Sequence, residues 1–179
     1  MHFGVSMFPT DYAIRPDELA GALEERGFES LWVPEHTHIP ASRRSPWPGG
    51  PNLPKEYWHV SFDRIWAHPK PLQKPHPPIL MGGDGPTTFD RVVEFCDGWM
   101  PIGFRAPGVV DKIPTLKAAA AKAGRDPKSI SVSLFGVKPD RATVDRLEGA
   151  GVDRVVFMAP SDTREKVLPL LDAYAAVSR

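Results

Sequence analysis

Apolar and polar positions in this chain follow two periods, and the change from one to the other predicts the order of the elements. Short apolar runs typical of buried strands stand at His2–Phe8, Ser30–Val33, Ile79–Met81, Gly98–Ile102, Ile130–Phe135 and Arg154–Met158. Apolar residues with helical spacing follow five of these runs, and the expected helices begin near Pro16, Phe89, Val109, Ala142 and Asp162. This alternation indicates an α/β fold with a parallel sheet and right-handed crossovers.

The segment from His36 to Pro78 interrupts the alternation. Ten prolines fall within it, and no helical period can be laid across it. The pattern therefore predicts a single domain over residues 1–179 that carries a long Pro-rich loop at 37–78. Loops of this length are uncommon in compact domains, and many of those that occur are functional.

Charge and composition narrow the possible partners. The chain has 22 Lys and Arg against 22 Asp and Glu, so no net field attracts nucleic acid or an anionic membrane. Neither a membrane span nor a signal peptide is expected from the apolar runs, which favours a cytoplasmic protein. The single cysteine, Cys96, excludes an internal disulfide and is expected on a helix face that packs inward.

Parallel α/β folds bind ligands at the carboxyl ends of their strands. The second predicted strand is followed by Glu35, His36, Thr37 and His38. Metal binding is disfavoured, because no other cluster supplies the remaining ligands that zinc needs. An imidazole beside a carboxylate suits proton transfer near neutral pH, or stacking against a bound ring. The competing interpretation is that both histidines are solvated loop residues.

The third predicted strand is followed by a turn formed by Gly82, Gly83, Asp84 and Gly85. Glycines at such a turn let the backbone approach an anion or a ring closely, and a helix beginning after Pro86 would direct free N–H groups toward it. Many ordinary strand-to-helix turns share this pattern. The turn lacks the Lys-Ser/Thr of a P-loop, and no G-x-S-x-G motif indicates a nucleophilic triad. From the residues alone, a site at the strand ends is expected and the reaction stays open.

An ordered series of segments resembles the luciferase-like monooxygenase superfamily, particularly its branch that uses the deazaflavin coenzyme F420. The segments that carry the likeness are His2–Val5, Leu19–Pro40, Lys55–Trp58, Phe62–Pro71, Pro75–Gly85 and Asp97–Pro101. The resemblance implies an oxidoreductase that binds F420, or alternatively FMN, without a covalent bond and acts on a small-molecule substrate by hydride transfer. It also implies catalytic roles for Glu35 and His36, and a cofactor-binding turn at Gly82, Gly83, Asp84 and Gly85.

The family fold is a (β/α)8 barrel, which typically needs about 250 residues. The chain has 179 residues and resembles a family member without the third and fourth βα units. The resemblance therefore implies a truncated, TIM-barrel-like, bacterial luciferase-like fold with about six parallel strands. Open sheet edges would favour a homodimer, or coverage by the Pro-rich loop. A non-catalytic flavin-binding or structural remnant of a barrel enzyme is the alternative function.

Overall fold

The computed structural model describes residues 1–34, 71–103 and 108–179 of the chain. The chain divides into two compact units, one formed by Met1–Pro34 with Pro78–Arg179 and the other by Glu35–Pro77. The predicted loop at 37–78 falls in the second unit except for its last residue, Pro78, and only residues 71–77 of that unit are described. The first unit contains the strands and helices given below.

Strands and helices of the first unit alternate as the hydrophobic pattern predicts. The strands are β1 His2–Ser6, β2 Ser30–Trp32, β3 Leu80–Met81, β4 Gly98–Trp99, β5 Ser131–Phe135 and β6 Arg154–Met158. The helices are α1 Pro16–Glu24, α2 Thr88–Phe95, α3 Val109–Lys122, α4 Arg141–Gly149 and α5 Arg164–Ser178, with a 3-10 turn at Pro127–Ser129. Within the described ranges, no helix combines the length and the apolar character needed to cross a bilayer.

The six strands form one parallel sheet in the order β2-β1-β6-β5-β4-β3. The first strand pairs with the last, as it does when a barrel closes, and the sheet curls as a half-barrel. Among the described residues β3 is the next strand after β2, and the two lie at opposite edges of the sheet. In an eight-stranded barrel the third and fourth strands would join these two edges. The fold is therefore a truncated, luciferase-like TIM barrel.

One face of the sheet packs against the helices and forms the hydrophobic core. Strand residues on this face are apolar and fully or almost fully buried, among them Val5, Trp99, Val132, Val155 and Phe157. The helices contribute a matching set of buried side chains: Leu19, Leu23, Val92, Ile113, Leu116, Val144, Leu147, Val167, Leu171 and Tyr174. Strands and helices thus bury one side each, which is what the period-two and period-3.6 patterns require.

The opposite face of the sheet carries several small and polar residues beside apolar ones such as the fully buried Val156. Gly4, Gly98 and Ser131 lie on it, and Ser133 is fully buried there beside Arg154. The Arg154 guanidinium donates to both carboxylate oxygens of Glu29 at 3.0 and 2.6 Å and to the Ser133 hydroxyl at 3.2 Å. The hydrogen bonds from Arg154 hold the pKa of the Glu29 carboxyl below its usual range. A charged network therefore occupies the place where a complete barrel packs branched apolar side chains.

Two strand boundaries differ from the sequence prediction by two residues or more. β4 ends at Trp99 rather than at Ile102, because Pro101 has no N–H to continue the ladder and Ile102 makes only an isolated bridge to Phe135. β1 ends at Ser6, two residues before the predicted Phe8. Cys96 is buried as expected, but it caps the carboxyl end of α2 and does not lie within the helix.

The carboxyl end of α2 is held by a side chain from beyond α3. Nη1 of Arg125 donates to the carbonyl oxygens of Val92, Val93 and Cys96 at 3.3, 3.1 and 2.9 Å. The last carbonyls of a helix have no partner within it, and the contacts of Arg125 with the Val93 and Cys96 carbonyls supply such bonds. The Val92 carbonyl also accepts from the N–H of Cys96 at 3.0 Å, so Arg125 gives it a second bond. We expect Arg125→Met to lower the free energy of unfolding by about 2 kcal/mol in urea denaturation, since hydrogen bonds to charged groups are worth about 1.5–3 kcal/mol.

Arg91→Met is the matched control for Arg125→Met. Arg91 is an exposed arginine on α2, and surface substitutions of this kind change stability by less than about 0.5 kcal/mol. Equal losses in the two variants would show that the contacts of Arg125 with the three carbonyls do not stabilise the fold.

Candidate functional site

The turn formed by Gly82, Gly83, Asp84 and Gly85 lies at the carboxyl end of β3, directly before α2. Gly83 has φ +83°, a conformation that side-chain-bearing residues rarely adopt. A Cβ atom added to Gly82, Gly83 or Gly85 would approach its nearest neighbour only to 3.8 Å. All four residues are exposed, so the turn presents open backbone at its surface.

Backbone donors of this turn are available to a ligand. Within the described part of the chain, the N–H groups of Gly83, Asp84 and Gly85 make no hydrogen bond, while the Gly85 carbonyl accepts from the N–H of Thr88 at 3.1 Å. The amino end of α2 follows directly and adds its partial positive charge. Consecutive free N–H groups beside a helix start form a concavity suited to an anion such as phosphate.

A buried tryptophan fixes the position of the turn. Nε1 of Trp99 donates to the Gly83 carbonyl oxygen at 2.7 Å, and the side chain has no solvent exposure. Phe89 of α2 packs edge-on against the Trp99 ring, with centroids 5.0 Å apart and planes at 89°. The turn is therefore tied to β4 and, through the aromatic pair, to α2. Such support keeps a backbone site in one geometry before a ligand arrives.

The one charged side chain within the turn is paired. Nζ of Lys112, in the first turn of α3, lies 2.7 Å from Oδ2 of Asp84. The two side chains keep 39% and 50% of their exposure, so solvent screens the pair and its contribution to stability is small. The turn thus offers neutralised charge together with free backbone donors.

The residues predicted to be catalytic, Glu35 and His36, lie outside the described residues, as does His38. β2 ends at Trp32, and Val33 and Pro34 continue the chain from its carboxyl end. The predicted cofactor-binding residues do lie together, in the turn after β3. The structure accordingly describes the residues of one half of the predicted site and not those of the other, and the roles of both halves stay predictions.

Cys96 has the properties of a structural thiol. Its side chain is 1% exposed, and burial raises the pKa of the thiol, to which the negative charge of Asp97 adds. A protonated, enclosed thiol is a poor nucleophile. Among the described residues, no group of three or more His, Cys, Asp and Glu side chains is arranged to hold a metal ion.

A cavity of about 440 Å³ lies at the other end of the strands. Its lining residues are Met1, His2, Pro78, Leu80, Ser131, Glu148, Val152, Asp153 and Arg154. Apart from Glu148 of α4, these stand at the amino ends of β1, β3, β5 and β6, whereas barrel enzymes bind substrate at the carboxyl ends. We therefore place the candidate site at the glycine turn and not in this cavity.

Comparison with known proteins finds one matching family. The model of the family described as luciferase-like monooxygenase matches residues 53–139, a range that includes β3, the glycine turn, α2, β4, α3 and β5. Over these residues the chain is similar to the luciferase-like monooxygenase family. The resemblance that the sequence motifs indicated is thereby confirmed at the level of the family and its fold.

Individual relatives of this luciferase-like chain are distant. It is 29% identical over 147 residues to uncharacterized proteins of Mycobacterium tuberculosis (strain ATCC 25618 / H37Rv) and Mycobacterium bovis, matches that cover 82% of this chain and 38% of each relative. It is 32% identical over 79 residues to the FMNH2-dependent dimethylsulfone monooxygenase of Pseudomonas putida, which covers 44% of this chain and 22% of that protein. The chain thus spans well under half the length of the curated relatives it matches.

Two supporting residues were missed when only the sequence was considered. Trp99 lies in one of the family-like segments, but its hydrogen bond to Gly83 spans 16 residues and has no local signature. Lys112 lies 28 residues from Asp84. The one signal for Lys112 is a cation in the first turn of a helix, where the helix dipole disfavours positive charge.

Proposed function

We propose that this chain binds a phosphate-bearing flavin-type cofactor, F420 or FMN, and serves as an oxidoreductase on a small-molecule substrate. The observation that carries the proposal is the open backbone of Gly82–Gly85, with free N–H groups at the carboxyl end of a strand in a luciferase-like sheet. A family relative named as FMNH2-dependent adds support for a flavin. When bound, such a cofactor supplies hydride chemistry that no amino-acid side chain provides.

The residues of the chain divide this work into binding and proton transfer. The N–H groups of Gly83, Asp84 and Gly85 would hold the phosphate, and Trp99 keeps the turn in position for it. Glu35 and His36 follow β2 in the chain, and we assign to them the holding and transfer of a proton. An imidazole with a neighbouring carboxylate can carry out that transfer near neutral pH.

Equilibrium titration tests the proposal. We expect purified protein to bind F420 or FMN saturably in the micromolar range, followed by the absorbance and fluorescence of the cofactor. Gly83→Ala should weaken that binding at least tenfold, because the substitution disfavours φ +83° and places a methyl group on the open backbone. Absence of binding of both cofactors at high micromolar concentration would leave a structural remnant as the better description.

Gly27→Ala is the matched control for Gly83→Ala. Gly27 has φ +79°, is exposed, and has no atom within 4 Å of an added Cβ, so it carries the same backbone strain at the end of α1. Both variants should lose similar stability, and only Gly83→Ala should lose cofactor affinity. Equal affinity losses in the two variants would place the cofactor away from the turn.

A further inference from the structure

The glycine turn contains an apparent contradiction in charge. Its free N–H groups favour an anion, yet Asp84 places a carboxylate among them. A negative charge within several ångströms of a bound phosphate would weaken binding, since the two repel through a partly solvated medium. An anion site with this sequence therefore requires a compensating cation.

Lys112 is placed to provide that compensation. Its Nζ atom lies 2.7 Å from Oδ2 of Asp84, at the side of the turn that faces α3. The contact joins two partly exposed side chains, which contribute little to folding when paired at a surface. A cation in the first turn of α3 opposes the dipole of its own helix, so local helix stability does not account for it.

We propose that Lys112 is a positioning residue that neutralises Asp84, and that the pair makes the turn selective for flavins that carry a phosphate over those that do not. This inference rests on the proposed function. Lys112 acts here through the carboxylate and does not contact the cofactor. Its effect on affinity therefore depends on the presence of Asp84, whereas a lysine that bound phosphate directly would act regardless of residue 84.

A double-mutant cycle separates these two roles. The variants are Lys112→Met, Asp84→Asn and the pair together, each titrated with FMN and with riboflavin, which has the same ring and lacks the phosphate. The same series is run with F420 and its phosphate-free deazaflavin core. In low salt we expect Lys112→Met to weaken binding of the phosphorylated cofactor about tenfold and the double variant to return within about threefold of wild type. Binding of the phosphate-free compounds should not change.

Salt concentration and a second lysine supply the controls. The loss in Lys112→Met should shrink in high salt, because screening weakens the repulsion from Asp84. Lys122→Met removes an exposed lysine from the other end of α3, about 15 Å along the helix at 1.5 Å per residue, and should leave every affinity unchanged. Thermal unfolding of all variants should match wild type within a few degrees.

The possible outcomes are distinct. If the double variant binds as weakly as Lys112→Met, the lysine contacts phosphate directly and the positioning role is wrong. If wild type binds the phosphorylated and phosphate-free compounds equally, the inference fails while cofactor binding stands. If wild type binds none of them, the proposed function fails and this inference with it.

Discussion

Trp99→Ala should lower the free energy of unfolding by about 4 kcal/mol, within the range found when a fully buried aromatic residue is truncated. Trp99 has no solvent exposure, packs edge-on against Phe89, and donates to the carbonyl oxygen of Gly83. Removal of the indole leaves a cavity between β4 and α2 and loosens the glycine turn. Urea denaturation followed by circular dichroism measures the loss directly.

Trp99→Phe separates the hydrogen bond from the packing. Phenylalanine keeps much of the apolar volume and removes the Nε1 donor, so we expect a smaller loss of about 1–2 kcal/mol. The Gly83 carbonyl is then free to rotate, and affinity for F420 or FMN should fall about tenfold or more. Unchanged cofactor affinity in a folded Trp99→Phe variant would show that this bond does not hold the turn in its binding geometry.

Phe157→Leu provides the comparison for Trp99→Phe. Phe157 of β6 is also fully buried, and its ring packs between those of Phe3 and Tyr174, away from the turn. The substitution should cost about 1 kcal/mol of stability through lost packing. Its cofactor affinity should equal that of wild type, since no hydrogen bond to the turn is changed. A loss of binding in both variants would indicate general loosening of the fold.

The order and type of the elements could be predicted because each one buries a single face. In β5, Val132 and Leu134 alternate with Ser131 and Ser133, and the alternation alone identifies both the strand and its core side. The end of β4 could not be predicted as well, because the apolar run continues through Ile102. There the missing N–H of Pro101 ends the ladder although the side chains remain suitable for a strand.

The candidate site was predictable only where it is local. The residues of the Gly82–Gly85 turn are contiguous in the sequence, and the glycines indicate an unusual backbone conformation. Its supports are not contiguous, since Trp99 and Lys112 reach it across the sheet and from the next helix. Which distant polar groups meet depends on how the elements pack, and hydrophobic periodicity contains no information about it.

On the face of the sheet opposite the core, too, the role of a residue depends on packing that the sequence does not show. The sequence gives little reason to expect strand at Gly4, Gly98 and Ser131, because glycine and serine have low strand propensity. In the structure, the small residues leave room for larger neighbours: Gly4 lies against Trp32 and Gly98 against Leu80. Close approach across the sheet, and not a turn, explains both glycines.

Gly98→Ala should therefore destabilise the fold by about 3 kcal/mol, the upper end of the usual cost of overpacking. The added Cβ would collide with the Ser131 hydroxyl and lie 2.7 Å from Cδ2 of Leu80 and 2.8 Å from the backbone oxygen of Ser131. The two side chains can rotate, but the backbone oxygen belongs to the ladder between β4 and β5. Pairing of these strands has to shift, which urea denaturation will detect as a lower midpoint.

Substitutions at two other glycines test whether backbone contact determines this cost. The three atoms nearest to an alanine Cβ at position 4 all belong to side chains, the closest being Oγ of Ser30 at 2.6 Å and Nε1 of Trp32 at 2.7 Å, so Gly4→Ala should cost about 1 kcal/mol. Gly21 lies within α1 with no atom within 4 Å of an added Cβ, and Gly21→Ala should stabilise by about 0.5–1 kcal/mol.

Adding Ser131→Ala to Gly98→Ala should recover only part of the loss, because the backbone oxygen remains. Full recovery would mean that the serine hydroxyl, and not the strand ladder, opposes a side chain at position 98.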